Sequence, residues 1–218
     1  NSRVTLDDVY IEGITSITPA DIKYAKELGY VIKLLAIAKE DAQGRIQARV
    51  HPAFLPVSHP LAAVNDVFNA VFVRGDAVGE IMHYGRGAGK LPTASAVMGD
   101  IIEIGRNLLH QSNARIGCTC YERKPTLGIE ELTAKYYIRM TVTDRPGVLA
   151  GIAGVFGNNN VSIATVLQKT SEADRAELIL ITHMVREMDL RDSLTVLKGM
   201  SIVGAIENVI RLAGSEPE

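Results

Sequence analysis

Apolar positions along this chain recur at a spacing near two residues in some stretches and near 3.6 in others, and the changes of period mark the elements. Val4–Ile14 combines β-branched residues with polar punctuation. "ITPADIKYAKELGY" then predicts a helix. Thr18 can cap it, Pro19 takes the first helical position, and Asp21 suits the N-terminal dipole. Ile22, Ala25 and Leu28 share one face, and Gly29 can end the helix in the left-handed conformation. Strands are expected at Tyr30–Ala38, Arg45–Val50, Val67–Val73 and Glu80–His83. The nearly unbroken apolar run of the first implies burial on both faces, and the third needs similar cover. "PVSHPLAAV" has two prolines and cannot be regular. A helix is expected from Thr93 to about Leu109, with Val97, Ile101, Ile104 and Leu108 on one face.

Residues 111–134 are polar, include Pro125 and Gly128, and show little period, which marks a linker. Beyond them the pattern is strand ("KYYIRMTVTD"), helix (Val148, Leu149, Ile152, Val155 and Phe156 on one face), strand ("VSIATVLQKT") and strand ("AELILITHMV"). A helix ("REMDLRDSLTVLKGM") and a strand within "VGAIENVIRLAG" finish it. The order β-α-β-β-α-β is the split β-α-β of a ferredoxin-like unit. The fold class is therefore α+β: a mixed sheet covered by helices over residues 1–110, a linker, and a ferredoxin-like domain over residues 135–214.

Composition narrows the class. With 218 residues, 47% hydrophobic, and a formal net charge of −2, the chain has the make-up of a soluble globular protein with one large core or two modest ones. No basic stripe points to nucleic acid. No apolar run approaches the roughly 20 residues of a membrane span. Cys118 and Cys120 point to opposite sides of an extended chain and pair poorly. Two such ligands make no zinc site, so free thiols in a reducing cytoplasm, and no metal, are expected. The sequence opens at Asn1 without an initiator Met, as expected of a processed protein or of a piece of a longer one.

The candidate chemistry begins at "HYGRGAGKLPTASAVMGD". A dinucleotide fingerprint starting at Gly85 would need glycine where Lys90 stands. A P-loop ending at Lys90 would need glycine at Tyr84 and a hydroxyl residue at Leu91. Two readings remain: a tight turn that lets a helix and a sheet pack closely, or a turn whose N–H groups meet a ligand at the positive end of the helix. Lys33 lies in a buried-looking strand and reads as structural. His51, His59 and His83 could in principle donate a proton, but each reads as a polar sheet-edge residue.

Two resemblances then enter. Val142-Thr143-Asp144-Arg145-Pro146-Gly147-Val148-Leu149, followed by Asn160-Val161-Ser162-Ile163 and Gln168, resembles an ACT domain over about Tyr136–Ala213. Such modules sense amino acids, and many bind nothing known. The resemblance implies an effector site at Asp144, Gly147, Val148, Leu149, Asn160, Val161 and Ile163, between paired copies. Gly147 and the amides after it would hold a carboxylate. The plainer reading is that Asp144 and Asn160 cap the helix and shape turns.

The first half resembles the catalytic domain of homoserine dehydrogenase. The residues are Glu12-Gly13-Ile14, Asp21-Ile22, Leu28-Gly29-Tyr30, Ile32-Lys33-Leu34, "LPVSHPLAAV", Asn69-Ala70-Val71, and Tyr84 to Gly89 with Pro92-Thr93-Ala94-Ser95-Ala96-Val97 and Asp100. This implies NAD- or NADP-dependent interconversion of L-homoserine and L-aspartate 4-semialdehyde, in cytoplasmic threonine and methionine biosynthesis. Gly87, Ala88, Gly89 and Thr93 would lie by the nicotinamide end of a cofactor bound mainly by a separate domain. Glu12 would serve the substrate layer. The family's catalytic Lys, its acidic partner and the Glu that binds the substrate amine are not matched, so no catalytic residue is assigned and this chain alone is expected to be inactive. Threonine as effector and a homodimer or tetramer are also implied. The alternative is a non-catalytic ACT amino-acid sensor whose first half is a dimerisation platform.

Overall fold

The structure, a computed structural model, describes residues 2–112, 119–170 and 174–214. In chain order the elements are β1 (Tyr10–Ile11), α1 (Pro19–Glu27), β2 (Tyr30–Glu40), β3 (Ile46–Pro56), β4 (Phe68–Gly75), β5 (Gly79–Arg86) and α2 (Lys90–Leu109). They continue with β6 (Thr133–Thr143), α3 (Val148–Asn158), β7 (Ile163–Thr170), β8 (Arg175–Thr182), β9 (Val185–Arg186), α4 (Glu187–Lys198) and β10 (Val203–Leu212). Two compact units result. The larger comprises Val4–Val57 and Lys124–Glu218; the smaller comprises Asn1–Arg3 and Ser58–Arg123.

The larger unit is built on one mixed sheet in the order β1-β3-β10-β6-β8-β7, with β2 paired to β3 and β9 to β6. The pairs β1–β3 and β3–β10 are parallel; the β2–β3, β10–β6, β6–β8 and β7–β8 pairs are antiparallel. Period-two alternation sends Tyr136, Ile138 and Met140 of β6 to one face, where they pack with Ile152 and Phe156 of α3 and Leu190 and Leu197 of α4. Tyr137 goes to the other face, into a core with Tyr24, Ala25, Phe54, Ile179 and Ile210. There its ring stacks on Phe54 with centroids 4.4 Å apart. Thus α1 covers the second face of the ferredoxin-like sheet. Its start is a capping box in which Asp21 accepts from the Thr18 N–H at 2.9 Å. Gly29 ends it at φ 81°.

In the smaller unit β4 and β5 form an antiparallel hairpin from Phe68↔Arg86 to Gly75↔Gly79. Phe68 and Tyr84 stack at 4.8 Å, with the Arg86 guanidinium 5.0 Å from the Phe68 ring centre. The hairpin leads into α2.

Several expectations change. The boundary expected at residue 110 divides the sequence, whereas the packing joins residues 4–57 to the ferredoxin-like elements. The long-range pairs Arg211↔Ala53 and Leu212↔Phe54, invisible to local pattern, cause this. β3 runs on through Pro52, which falls between its residues paired to β1 and those paired to β10. β2 is not buried on both faces: it pairs with β3 alone, and none of its residues is buried. β4 likewise has only β5 beside it and no buried residue. α2 starts at Lys90, not Thr93, because Pro92 sits in a first turn whose N–H groups have no helical partner anyway. The α2 face read as core-directed is exposed in this chain, from 51% at Val97 to 75% at Leu108. Within 111–134, Ile129–Glu131 forms a 3-10 turn and Thr126 bridges Ile46. Cys118 lies outside the described residues; Cys120 is exposed and in no disulfide.

Candidate functional site

The strand-to-helix turn after β6 encloses a cavity of about 200 Å³, lined by every residue from Val142 to Leu149 together with Gln168 of β7 and Leu178 of β8. Gly147 caps α3 at φ 90°, a left-handed conformation that glycine adopts without strain. The N-terminal turn of α3 therefore lines the cavity; the Val148 N–H is taken by the Arg145 carbonyl at 3.3 Å, and the dipole of the helix start favours an anionic group. Opposite charge is supplied by Asp144, whose Oδ1 accepts from Gln168 Nε2 at 3.1 Å. A small zwitterion, with its carboxylate at the helix end and its amine at Asp144, matches this arrangement in size and sign.

Four sequence-predicted effector residues, Asp144, Gly147, Val148 and Leu149, meet at this cavity. Asn160, Val161 and Ile163 do not line it. Asn160 takes the left-handed φ of 60° just past α3, Val161 is buried in the α3/α4 core, and Ile163 packs against that core. They shape the α3–β7 connection. Gln168, which follows the motif in sequence, joins the lining from β7. Its register partner across the β7–β8 ladder is Leu178, the other strand residue of the lining.

The glycine turn lies in the smaller unit. Gly87 donates its N–H to the Val67 carbonyl at 3.0 Å, closing the hairpin. A Cβ on Gly87 would stand 1.7 Å from Nδ2 of the exposed Asn69 side chain, which would have to turn aside. Gly89 has φ 127°, strained for any other residue, and caps α2. Gly85 has open space where a Cβ would be. Ala88 is exposed between them, and the Thr93 N–H donates to the Gly89 carbonyl at 3.1 Å within the first turn of α2. The open backbone at Gly85 and the positive end of a 20-residue helix at Lys90 fit close approach by the carboxamide or a phosphate of a dinucleotide. Asn69 is the residue that sequence reasoning missed here, since a contact between strand β4 and the turn has no local signal.

Glu12 sits in a buried charged network of the larger unit. Its Oε2 accepts from Arg211 Nη1 at 2.6 Å and from the Tyr10 hydroxyl at 3.0 Å. Arg211 also donates to both oxygens of Glu187, at 2.6 and 2.9 Å, and the Tyr136 hydroxyl donates to Glu187 at 2.7 Å. Burial works against both charges, but the pairing wins: the Glu187 carboxyl is held below its usual range and Arg211 above its own. Beside them His51 is 1% exposed, and burial pushes its imidazole down to about 4. Nδ1 donates to the Pro52 carbonyl at 2.9 Å, and Nε2 accepts from Arg49 Nε at 3.1 Å, which defines a neutral ring. His59 accepts from the Leu61 N–H at 3.2 Å, and His83 is exposed on β5.

A second buried network holds α1. Asp21 accepts from Arg139 Nε at 2.8 Å, Asn208 Nδ2 at 2.9 Å and the Tyr137 hydroxyl at 3.2 Å. Arg139 also donates to Glu177 at 3.0 Å, and the Tyr24 hydroxyl donates to the same carboxylate. Among the described residues no group of three His, Cys, Asp or Glu side chains could hold a metal ion. Among them, too, no helix is long and apolar enough to cross a membrane.

Residues 1–102 match the homoserine dehydrogenase family model and residues 136–200 the ACT domain model. A homoserine dehydrogenase of Corynebacterium glutamicum is 46% identical over 216 residues, covering 97% of this chain and 48% of that protein. One from Mycobacterium tuberculosis is 42% identical over 224 residues, covering 99% of this chain and 51% of its own. The crystal structure of a homoserine dehydrogenase from Thiobacillus denitrificans superposes with a TM-score of 0.86 at 35% identity, over 97% of this chain and 49% of the other. The chain thus spans about half the length of the curated relatives it matches.

Proposed function

We propose, for a chain that carries a homoserine dehydrogenase domain followed by an ACT domain, a part in the NAD(P)-dependent interconversion of L-homoserine and L-aspartate 4-semialdehyde, under amino-acid control. The observation that carries this reading is the order of the two domains, shared at 46% identity with a homoserine dehydrogenase along 97% of the chain. That similarity extends through the first half, which a free-standing sensor would not require.

The nicotinamide cofactor supplies the hydride. What this chain contributes is approach and orientation: Gly85, Ala88 and Gly89 keep bulky side chains away from the turn, and the start of α2 presents its positive dipole, with the Thr93 side chain in the same turn. Glu12 braces β1 through Arg211 and so supports the substrate layer. The exposed apolar faces of α2 and the β4–β5 hairpin suit a homo-oligomeric contact. The effector site comprises Asp144, Gly147, Val148 and Leu149, with Gln168 added. Threonine is the proposed ligand, as the end product of the route that homoserine enters.

Ligand binding to the folded chain must stabilise it, by about 2.7 kcal/mol at a hundredfold excess over Kd. For a chain of this size that is a rise in Tm of roughly 5–10 °C. Threonine should raise the melting temperature beside serine, methionine and lysine as controls, and Gln168→Ala should abolish the rise. Flat melting curves with all four at millimolar concentration would reduce the ACT domain to a scaffold.

A further inference from the structure

We propose that α1 is mechanically coupled to the ACT cavity through β7 and β8, so that what occupies the cavity is felt by the homoserine dehydrogenase domain as a displacement of this helix. The proposal rests on the reading of that cavity as the effector site, and it names the route by which the site would act.

The coupling follows from the pleat. Side chains alternate across a sheet, so neighbours on one strand face opposite sides. Gln168 and Leu178 line the cavity on the α3 side. Their immediate neighbours, Lys169 and Glu177, reach α1 on the other side. Lys169 Nζ lies 2.6 Å from Glu27 and 4.8 Å from the centre of the Tyr24 ring. Glu177 receives the Tyr24 hydroxyl and also the Arg139 guanidinium that holds Asp21. Asp21, Tyr24 and Glu27 are spaced three apart and form one stripe of α1. Along that stripe the helix is held by β6 through Arg139, by β8 through Glu177, and by β7 through Lys169.

The three holds differ in strength. Asp21 is wholly buried, capped and bonded to Arg139, Asn208 and Tyr137, so the N-terminal end of α1 is a fixed point. Glu27 and Lys169 are about one-third exposed, at 37% and 36%, so the C-terminal end is the loosely held one. β7 is the last strand in the sheet order, paired to β8 alone, with a register irregularity between Ile163 and Thr165. A ligand amine that takes Asp144 Oδ1 displaces the 3.1 Å bond from Gln168. Releasing Gln168 frees β7 locally, and Lys169 on the reverse face moves with it. The helix then pivots about Asp21. Gly29 and β2 follow directly, inside the segment that matches homoserine dehydrogenase.

Backbone hydrogen exchange on the whole chain tests this without needing to know the ligand. Asp144→Ala breaks the Asp144–Gln168 bond at an exposed position. The amides of Lys26–Gly29 should then exchange at least threefold faster, while those of Leu190–Leu197 in α4 stay as in the wild type. In a Lys169→Met background the same substitution should add nothing, because the transmitting contact is already gone. Unchanged exchange at Lys26–Gly29 in Asp144→Ala overturns the proposal. So does an effect that persists undiminished in Lys169→Met, since it would bypass β7. A calorimetric threonine titration separates this from the effector reading. If threonine binds, reciprocity requires Lys169→Met to change its Kd, by about threefold or more, and equal Kd values overturn the coupling. If threonine does not bind but the exchange result holds, the coupling stands and the choice of effector falls.

Discussion

Replacing Arg139 by methionine should remove about 3–5 kcal/mol of stability at pH 7.5, a large share of the roughly 5–15 kcal/mol of a whole domain. Asp21 has no exposed surface, and among the described residues Arg139 is the one cation bonded to it, at 2.8 Å. Its remaining donors among the described residues, Asn208, Tyr137 and the amide and hydroxyl of Thr18, are neutral. Methionine fills much of the same volume, so the loss comes mainly from a buried carboxylate left without its counter-charge. The pH dependence separates this cause from simple loss of packing. In the wild type, burial raises the Asp21 pKa, but the bonds from Arg139, Asn208 and Thr18 outweigh it and hold the carboxyl below its usual range. Asp21 therefore contributes stability above the unfolded value of about 3.9, lost as pH falls through the lower folded value. In Arg139→Met the burial effect is unopposed by a charge and the folded pKa rises above the unfolded one. The variant should then regain part of its deficit between pH 7.5 and 5. Asp21→Asn in the same background keeps an acceptor for the cap and removes the charge, so it should recover most of the loss at pH 7.5. Urea unfolding of the three proteins at both pH values decides it. A cost below about 1 kcal/mol for Arg139→Met, or further destabilisation on adding Asp21→Asn, would refute the buried-charge argument.

Two other outcomes follow from the geometry. His51 has a folded pKa of about 4 against about 6.5 unfolded, so the unfolded chain takes a proton that the native state refuses. Stability should fall by about 2–3 kcal/mol as pH drops from 7.5 to 4.5, and His51→Gln should flatten urea midpoints across that window. Gly87→Ala should force the exposed Asn69 side chain to turn aside at small cost to the β4–β5 hairpin, and Asn69→Ala should remove that cost. Fluorescence titration of the double variant with NADPH then isolates the functional part proposed for the turn. Affinity equal to wild type would show that Gly87 serves packing alone.

Much of this architecture is legible along the chain because its causes are local. Thr18, Pro19 and Asp21 specify the start of α1 through a capping box that closes within four residues. The alternation of β6 and the stripe of α3 read as strand and helix because each must bury one side. The turn glycines are equally local: Gly29, Gly89 and Gly147 stand at positive φ, where a side chain would be strained. The Asp144–Leu149 lining of the cavity is one continuous stretch, so it too could be read directly.

Tertiary structure decided everything that depends on partners far apart in sequence. That β3 pairs with β10, and that α1 closes the second face of the ferredoxin-like sheet, rests on contacts more than a hundred residues apart, such as Asp21 with Arg139 and Tyr24 with Glu177. A hydrophobic period says that a face must be covered, never by which element. Nor does local sequence say why a glycine is bare. Gly87 reads as an opening for a ligand, and only the structure shows that the Asn69 side chain lies against it as well. Glu12 reads as a residue of the substrate layer, and only the structure shows it paired with Arg211 and the Tyr10 hydroxyl. Burial of charge is stable only with a counter-charge in place, and which residue supplies it is fixed by the packing of strands, information that no single segment carries.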